Sequence, residues 1–447
     1  MSTEVVARPQ LAYDELQAIQ KELDKCMHCG GCMAVCPVYA TSKTEAGVAR
    51  GKIAVAGAVL DGTLKLDDPE VVDMLFNCLV CKSCMQSCPT KVDFGRIMLA
   101  LRAAIVREKG LPWLKKAIFS TLKHPELFDR GMKLGAALSG IAFRKVGEKG
   151  IAPRSPFAFV GKAVDFDENR WLPALAPTPL RDRQPELVQI DSSQDAKPVA
   201  RAAFFTGCSM NYFYPETGED LIAVLKENRV EVAIPKKQAC CGIPVFVHGD
   251  LETIRELGRR NIDAMEATGA DYLITGCGSC GGAWQHEYKE IFATDPVYAK
   301  KAAYWAERTY DISTFLLDVI HYRKPKGKVD AVVTYHDSCH LKKTMKVARE
   351  PREILKDVPG VTYKEMANAD ACCGSGGSYV LTHFGTATDI AERKVNDVKH
   401  TGADTVATGC PACMMQLFDN VHRFGGEQKV KHYVSILAES YRNEQSS

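Results

Sequence analysis

Apolar positions along the chain follow two periods, and the change from one to the other divides it. Up to about residue 147 the spacing is helical. Asp68 and Pro69 supply an N-cap and first turn, and Val71, Val72, Leu75 and Phe76 then share one helical face. A second helix is predicted from Asp93 through Arg107. Residues 111–147 form a basic amphipathic helical segment, with Lys115, Lys116, Lys123, Arg130, Lys133, Arg144 and Lys145 against only Glu126 and Asp129. Pro112 and Pro125 interrupt it. Residues 150–200 are rich in proline (Pro153, Pro156, Pro173, Pro177, Pro179, Pro185, Pro198) and read as an extended connector lying on other domains.

From Ala200 onward the pattern becomes strand–helix alternation, and it occurs twice. Apolar strands at Ala202–Thr206 and Ala331–Tyr335 run into Cys208 and Cys339. Helices opened near Pro215 and Pro351 follow, with Leu221, Val224 and Leu225, or Ile354, Leu355 and Val358, on the inner face. A short strand then leads to Cys240-Cys241-Gly242 or Cys372-Cys373-Gly374, and a further helix and strand end at Cys277/Cys280 or Cys410/Cys413. The repeat is about 131 to 133 residues long, a duplicated domain rather than a solenoid. The β-α-β-α-β order predicts a small parallel sheet in each copy, with every cysteine just after a strand, where open α/β sheets place ligands. The expected organisation is therefore α plus α/β. An all-α ferredoxin-like domain (1–108) and a basic helical and proline-rich connector (109–199) precede two cysteine-rich repeats (200–325 and 326–447).

Composition narrows the chemistry. The 447 residues are 46% hydrophobic, mean hydropathy is slightly negative, and no run of eighteen apolar residues occurs, so a membrane span is not expected. Met1–Lys21 lacks an apolar signal core, which leads us to expect a cytoplasmic protein. A net charge of +2 with interspersed signs gives no reason to expect nucleic acid. The 18 cysteines all fall in four clusters. In a reducing compartment that distribution points to metal rather than disulfides.

Cys26, Cys29, Cys32 and Cys36-Pro37 repeat the spacing of Cys78, Cys81, Cys84 and Cys88-Pro89. This is the two-cluster ferredoxin pattern, in which the fourth cysteine of each run serves the other cluster. Three closely spaced thiolates wrap one cubane, and the chain cannot curl back soon enough to supply the fourth. We expect Cys26, Cys29, Cys32 and Cys88 on one 4Fe–4S cluster, and Cys78, Cys81, Cys84 and Cys36 on the other. Gly30 and Gly31 let backbone amides approach the sulfides. Zinc also takes four thiolates, but its sites usually pair two Cys-x-x-Cys knuckles. In the repeats, adjacent cysteines diverge too much for one tetrahedral ion, and five thiolates suit a larger object.

These Cys-Cys-Gly repeats resemble those of heterodisulfide reductase catalytic subunits, a resemblance that implies a non-cubane 4Fe–4S cluster on each five-cysteine set. Over nearly its full length the chain resembles the iron–sulfur subunit of glycolate oxidase and D-lactate dehydrogenase complexes. Ala49-Arg50-Gly51-Lys52, Leu111-Pro112-Trp113, Arg170-Trp171-Leu172-Pro173 and Tyr214-Pro215-Glu216 carry that likeness. Several members of that family lack cysteines of these repeats, whereas this chain keeps both sets whole. The resemblance implies an electron-transfer subunit working with a separate FAD-containing dehydrogenase and delivering electrons to a quinone or another carrier. It carries two rivals, a heterodisulfide-reductase-like thiol–disulfide oxidoreductase and the iron–sulfur subunit of anaerobic glycerol-3-phosphate dehydrogenase. A non-redox protein using metal only to hold its fold is the alternative from a different class.

The remaining features are weaker. His336 and His340 flank Cys339 and His248 follows Cys241, positions from which they could tune a cluster or carry protons, although such histidines are more often ordinary loop residues. Gly374, Gly376 and Gly377 lack the lysine and hydroxyl of a phosphate loop and suit close backbone approach to a cluster. No dinucleotide fingerprint is present, so neither FAD nor NAD is expected on this chain. The basic segment either docks a partner, lies peripherally on the inner membrane face, or is a plain solvated helix pair.

Overall fold

The computed structural model describes residues 19–147, 150–154, 169–190 and 197–445. The N-terminal stretch before residue 19, Pro156 and much of the expected connector lie outside them. The chain forms two compact units, residues 1–119 with 244–253, and residues 120–243 with 254–447. Both cysteine-rich repeats belong to the second unit.

The first unit is helical, as its apolar spacing requires. Pro69–Phe76 starts where Asp68 accepts the amide of Glu70, and it buries Val71 and Leu75. Phe94–Lys109 starts where Asp93 accepts the amide of Arg96. Its buried Ile97, Met98, Leu101 and Ala104 meet Ile53 and Ala56 of helix Ala49–Leu60 in one core. Two cysteine loops hang on this bundle.

In the second unit, helices Trp113–Lys123 (which begins in the first unit) and Pro125–Ala142 end sooner than the basic segment suggested. Phe143–Val146 (β1) turns back on Gly150–Pro153 (β2), which pairs with Leu172–Pro173 (β3), all antiparallel. Repeat one carries Leu187–Val188 (β4), Ala200–Phe204 (β5), Val230–Ala233 (β6), Tyr272–Thr275 (β7) and Thr309–Asp311 (β8), in the order β4-β6-β5-β7-β8. Repeat two carries Ala331–His336 (β9), Val361–Tyr363 (β10), Thr405–Thr408 (β11) and Lys429–His432 (β12), in the order β10-β9-β11-β12. Each sheet has one more parallel strand than the β-α-β-α-β reading supplied. In repeat one the connector adds β4 antiparallel to β6, Leu187 opposite Ala233. The connector also packs on repeat two: the Trp171 amide donates to Asp419 (2.8 Å) and its ring stacks on His422.

The repeats share a single core. Leu221, Val224 and Leu225 of helix Pro215–Glu227 pack with Val434, Leu437 and Tyr441 of helix Tyr433–Gln445, and Ile354 and Leu355 join them. Neither copy could bury these faces alone, which is why the duplication yields one unit.

Candidate metal centres

The two N-terminal cysteine loops adopt one conformation. His28 and Gly30 in the first, and Val80 and Lys82 in the second, occupy equivalent places and all have left-handed φ (54°, 81°, 51° and 62°). Such alternation turns successive amides toward one side, forming an anion-binding concavity. The Val80 amide donates to Cys78 Sγ (3.4 Å), that of Tyr39 to Cys36 Sγ and that of Val92 to Cys88 Sγ (both 3.5 Å). One hollow is lined by Cys36, Cys78, Cys81 and Cys84. A second is lined by Cys26, Cys29, Cys32 and Cys88, and Cys84 reaches it too. Sulfur-lined hollows ringed by amide donors fit an anionic iron–sulfur cluster.

Two cations beside these loops were not among the residues expected at the site. Lys52 is 1% exposed; its ammonium donates to the carbonyls of Gly47 and Asn77, the residue before Cys78. Arg102, 2% exposed, donates to the carbonyls of Leu75, Phe76, Cys78 and Val247. Burial pulls the Lys52 pKa down, while the thiols of Cys78 and Cys36 oppose that shift. Burial also pushes the Cys36 thiol up to about 11 and the Cys84 thiol well above its ordinary range, so a metal binding here would have to displace protons. Gly51 explains the glycine of Ala49-Arg50-Gly51-Lys52: a Cβ there would lie 2.3 Å from the Glu45 carbonyl oxygen.

In the repeats, Cys208, Cys277, Cys339 and Cys410 follow strand ends closely, as the sequence suggested, whereas Cys240-Cys241 and Cys372-Cys373 lie in loops well past β6 and β10. Cys208 Sγ lies 3.9 Å from Cys240 Sγ, and Cys241 is in hydrogen-bond contact with Cys280. Repeat two runs Cys372, Cys373, Cys413, Cys410 through successive sulfur contacts, and Cys339 Sγ has His340 Nδ1 at 3.9 Å. The Cys-Cys-Gly turns match: the amides of Gly242 and Gly374 donate to Cys240 and Cys372 (both 3.4 Å), with φ of 84° and 86°. The two Cys-x-x-Cys loops face each other across the repeats. Cys277 Sγ stands 3.8 Å from Cys410 Sγ, the Gly278 amide donates to the Gly409 carbonyl, and Ser279 Oγ lies 3.4 Å from His340 Nδ1.

The three histidines part company. His248 is buried in the first unit against the rings of Phe76 and Phe119, a packing role. His340 sits at the meeting of the repeats. His336 is 1% exposed and lies with Cys373 and Cys413 so that their donor atoms fall within 4.8 Å of one another. Contacts from Cys372 first, then Cys413 and His336, hold the Cys373 thiol well below its ordinary range.

Helix Pro125–Ala142 has no fully buried residue and exposes Leu127, Leu134, Leu138 and Ile141. Its bases are partly neutralised, with Lys133 pairing Asp129 and Asp182 at 2.7 and 2.6 Å. No helix among the described residues is long and apolar enough to cross a membrane.

Helical cysteine loops followed by paired Cys-Cys-Gly sheets define an iron–sulfur oxidoreductase subunit, and comparison with known proteins agrees. The family described as a 4Fe-4S dicluster domain matches residues 22–92, and the cysteine-rich domain family matches residues 202–284 and 333–418. The probable glycolate oxidase iron-sulfur subunit of Bacillus subtilis is 33% identical over 434 residues, 94% of each chain. The chain belongs to that family of iron–sulfur subunits. One of the subunits of the fumarate reductase (CoM/CoB) of Methanothermobacter marburgensis is 28% identical, covering 95% of this chain and 73% of its own. Lactate utilization protein A of Bacillus cereus is 30% identical over 53% of this chain and 98% of its own. A crystal structure of a hypothetical protein from Helicobacter pylori shares the fold, with TM-score 0.50 and 9% identity, over 97% of this chain and 73% of that one.

Proposed function

We propose that this chain is the electron-relay subunit of a flavin-dependent dehydrogenase of 2-hydroxy acids, D-lactate or glycolate, with a separate FAD-containing subunit as its electron donor and a quinone or other carrier as acceptor. The observation that carries it is that all eighteen cysteines are free and lie in the two loops and the two repeats, in a chain 33% identical to a glycolate oxidase iron–sulfur subunit.

Cys26, Cys29, Cys32 and Cys88 would hold one 4Fe–4S cubane, and Cys78, Cys81, Cys84 and Cys36 the other. Cys208, Cys240, Cys241, Cys277 and Cys280, with Cys339, Cys372, Cys373, Cys410 and Cys413, would hold one or two further non-cubane clusters. When bound, such clusters supply one-electron chemistry at potentials set by charge, hydrogen bonds and burial. The protein's part is to keep thiolates paired with amides, to place Lys52 and Arg102 beneath the second loop, and to exclude water from the repeat sites. The exposed apolar stripe of helix Pro125–Ala142 supplies a face for the flavoprotein. The site of action is the cytoplasm, with peripheral membrane contact where a quinone is the acceptor.

The test is anaerobic affinity purification from the native host, with a visible spectrum before and after adding D-lactate or glycolate. Bleaching of the broad absorbance near 400 nm (roughly where thiolate–iron charge transfer falls for clusters of this kind), with a flavoprotein co-purified, is the expected result. Substrate turnover by the isolated, flavin-free chain would overturn it. A second reading, thiol–disulfide chemistry at the repeats, is favoured by the 3.8 Å approach of Cys277 to Cys410. Reoxidation of the reduced protein by a disulfide distinguishes it, and glycerol 3-phosphate is the third donor to try.

A further inference from the structure

The two repeats share one order of parallel strands and one cysteine pattern, so a difference at the sulfur sites is informative. His336 ends strand β9, three residues before Cys339; the equivalent residue of repeat one, three before Cys208, is Phe205. Both are buried at 1% exposure. Repeat one thus places an aromatic ring with no polar atom where repeat two places an imidazole.

The imidazole has no other assignment in the fold. Neither ring nitrogen has a nitrogen or oxygen partner among the described groups, although an unpaired buried donor is costly. Its nearest chemistry is sulfur: a ring nitrogen, Cys373 Sγ and Cys413 Sγ lie within 4.8 Å of one another. A histidine kept in a core only for its shape would be replaced without loss by the phenylalanine that repeat one uses.

We propose that His336 is a positioning residue that donates an imidazole N–H to the thiolate sulfur of the repeat-two centre, at Cys373, and thereby raises the reduction potential of that centre above its repeat-one counterpart. The inference rests on the reading that the repeats hold iron–sulfur centres. An N–H aimed at a cysteine sulfur offsets the negative charge that reduction adds, which favours the reduced form. The duplication then yields two centres with the same cysteine set and different electron affinities, the repeat-two centre being the preferred resting place of an electron.

The experiment compares the anaerobically purified full-length protein with its His336→Phe, His336→Gln and Phe205→His variants, by iron and sulfide analysis and by redox titration followed with electron paramagnetic resonance. His336→Phe installs the residue that the sister site already accommodates. It is expected to keep its iron and sulfide and to move one repeat signal downward by about tenfold in the reduction equilibrium, about 59 mV for a one-electron couple. His336→Gln, which retains an N–H donor, should recover part of that shift, and Phe205→His should raise the other repeat signal. Unchanged potentials in His336→Phe at full iron and sulfide content would overturn the proposal and leave the cluster reading standing. Wild-type protein with sulfide only at the N-terminal sites would overturn both. Should His336→Phe lose its centre, Phe205→His decides: an unmoved repeat-one signal counts against the proposal, a raised one for it.

Discussion

Asp311 and His432 hold equivalent places in the two repeats, and each is hydrogen-bonded across to the other repeat. Asp311 closes β8 opposite Thr275, and His432 closes β12 opposite Thr408. Asp311 accepts the Tyr433 hydroxyl at 2.7 Å, and His432 Nε2 donates to the Gly276 carbonyl at 2.9 Å. Two ionisable groups, one acidic and one basic, therefore stitch the repeats together just beneath the Cys-x-x-Cys loops. Both are fully buried, and burial acts on them in opposite directions.

His432 is held neutral. Its Nδ1 accepts the Val434 amide while Nε2 donates, and burial lowers its pKa from 6.5 to about 4. The unfolded chain binds a proton near 6.5 and the folded chain does not, so stability is complete above that pH. It falls as pH drops from about 6.5 to 4, by up to about 3 kcal/mol. His432→Gln should lose roughly 1 kcal/mol at pH 8 yet show a flatter decline toward pH 5. Denaturant unfolding followed by the fluorescence of buried Trp284 and Trp305 reads this out; parallel pH curves for the two proteins would refute it.

Asp311 shows the opposite sign. Burial raises its carboxyl from 3.8 to about 6 despite the bonds from Ser313 and Tyr433. The folded state holds the proton more tightly, so stability is full below about 3.8 and declines as pH rises through 6, by about 3 kcal/mol at most. Asp311→Asn keeps the Oδ1 acceptor and cannot ionise. At pH 7.5 it should stabilise the second unit by about 1 kcal/mol, less than the full amount because its amide group takes the place of unpartnered Oδ2. A loss of stability at that pH would contradict the assignment.

The glycine of the second Cys-Cys-Gly turn is required twice over. Gly374 has φ of 86°, and a Cβ there would stand 2.3 Å from the Ala387 carbonyl oxygen. Gly377 also has positive φ, 63°, but open space around it. Gly377→Ala should therefore cost about 1 kcal/mol. Gly374→Ala should displace the Cys372 and Cys373 backbone and lower iron retention at the proposed repeat-two centre. Equal iron content in the two variants, measured on freshly purified protein, would show that the turn is not under this constraint.

Lys52→Met leaves the carbonyls of Gly47 and Asn77 without their buried donor and removes a cation beside Cys78. A destabilisation of the first unit by about 2–3 kcal/mol is expected. The potential of the proposed cluster at Cys36, Cys78, Cys81 and Cys84 should also fall, because a nearby positive charge favours the reduced cluster. Thermal unfolding and a redox titration measure the two effects; Lys52→Arg should preserve the charge and most of the potential. An unchanged potential in Lys52→Met would remove the cation from any tuning role.

What was legible in the sequence was local. Asp68 caps its helix as read, because capping depends on neighbours a few residues away, and Asp93, read only as the start of a helix, caps its own. The strand before each first cysteine, the cysteine spacings and the duplication were read correctly for the same reason. Pairing beyond the expected parallel strands was not legible. Strand β4 has two residues and exists only because Val232 and Ala233 lie beside it. Phe143-Arg144-Lys145-Val146 belongs to the segment read as basic and helical but pairs with Gly150–Pro153 as a strand. Lys52 reads as a surface residue in an otherwise amphipathic helix, and only the folded loops reveal the carbonyls it serves. The approach of Cys277 to Cys410 needs both repeats in place, and no spacing within one of them encodes it.

The crossed ligand sets make the sharpest prediction for the first unit. Cys36 follows the first loop in sequence yet lines the hollow of Cys78, Cys81 and Cys84, while Cys88 lines that of Cys26, Cys29 and Cys32. If each hollow holds one cluster, Cys36→Ser should abolish the centre of the second loop, with a loss of about four iron atoms per chain. Adding Cys81→Ser should then cost no further iron, because both residues serve one centre, whereas adding Cys29→Ser should remove a second set of about four. Cys88→Ser should show the mirror pattern. The proposed repeat centres serve as the integrity control, since all four substitutions lie in the first unit. Iron analysis with electron paramagnetic resonance of the reduced proteins distinguishes the cases. A Cys36→Ser protein that loses the same signal as Cys29→Ser would mean that each run of four cysteines closes on its own cluster.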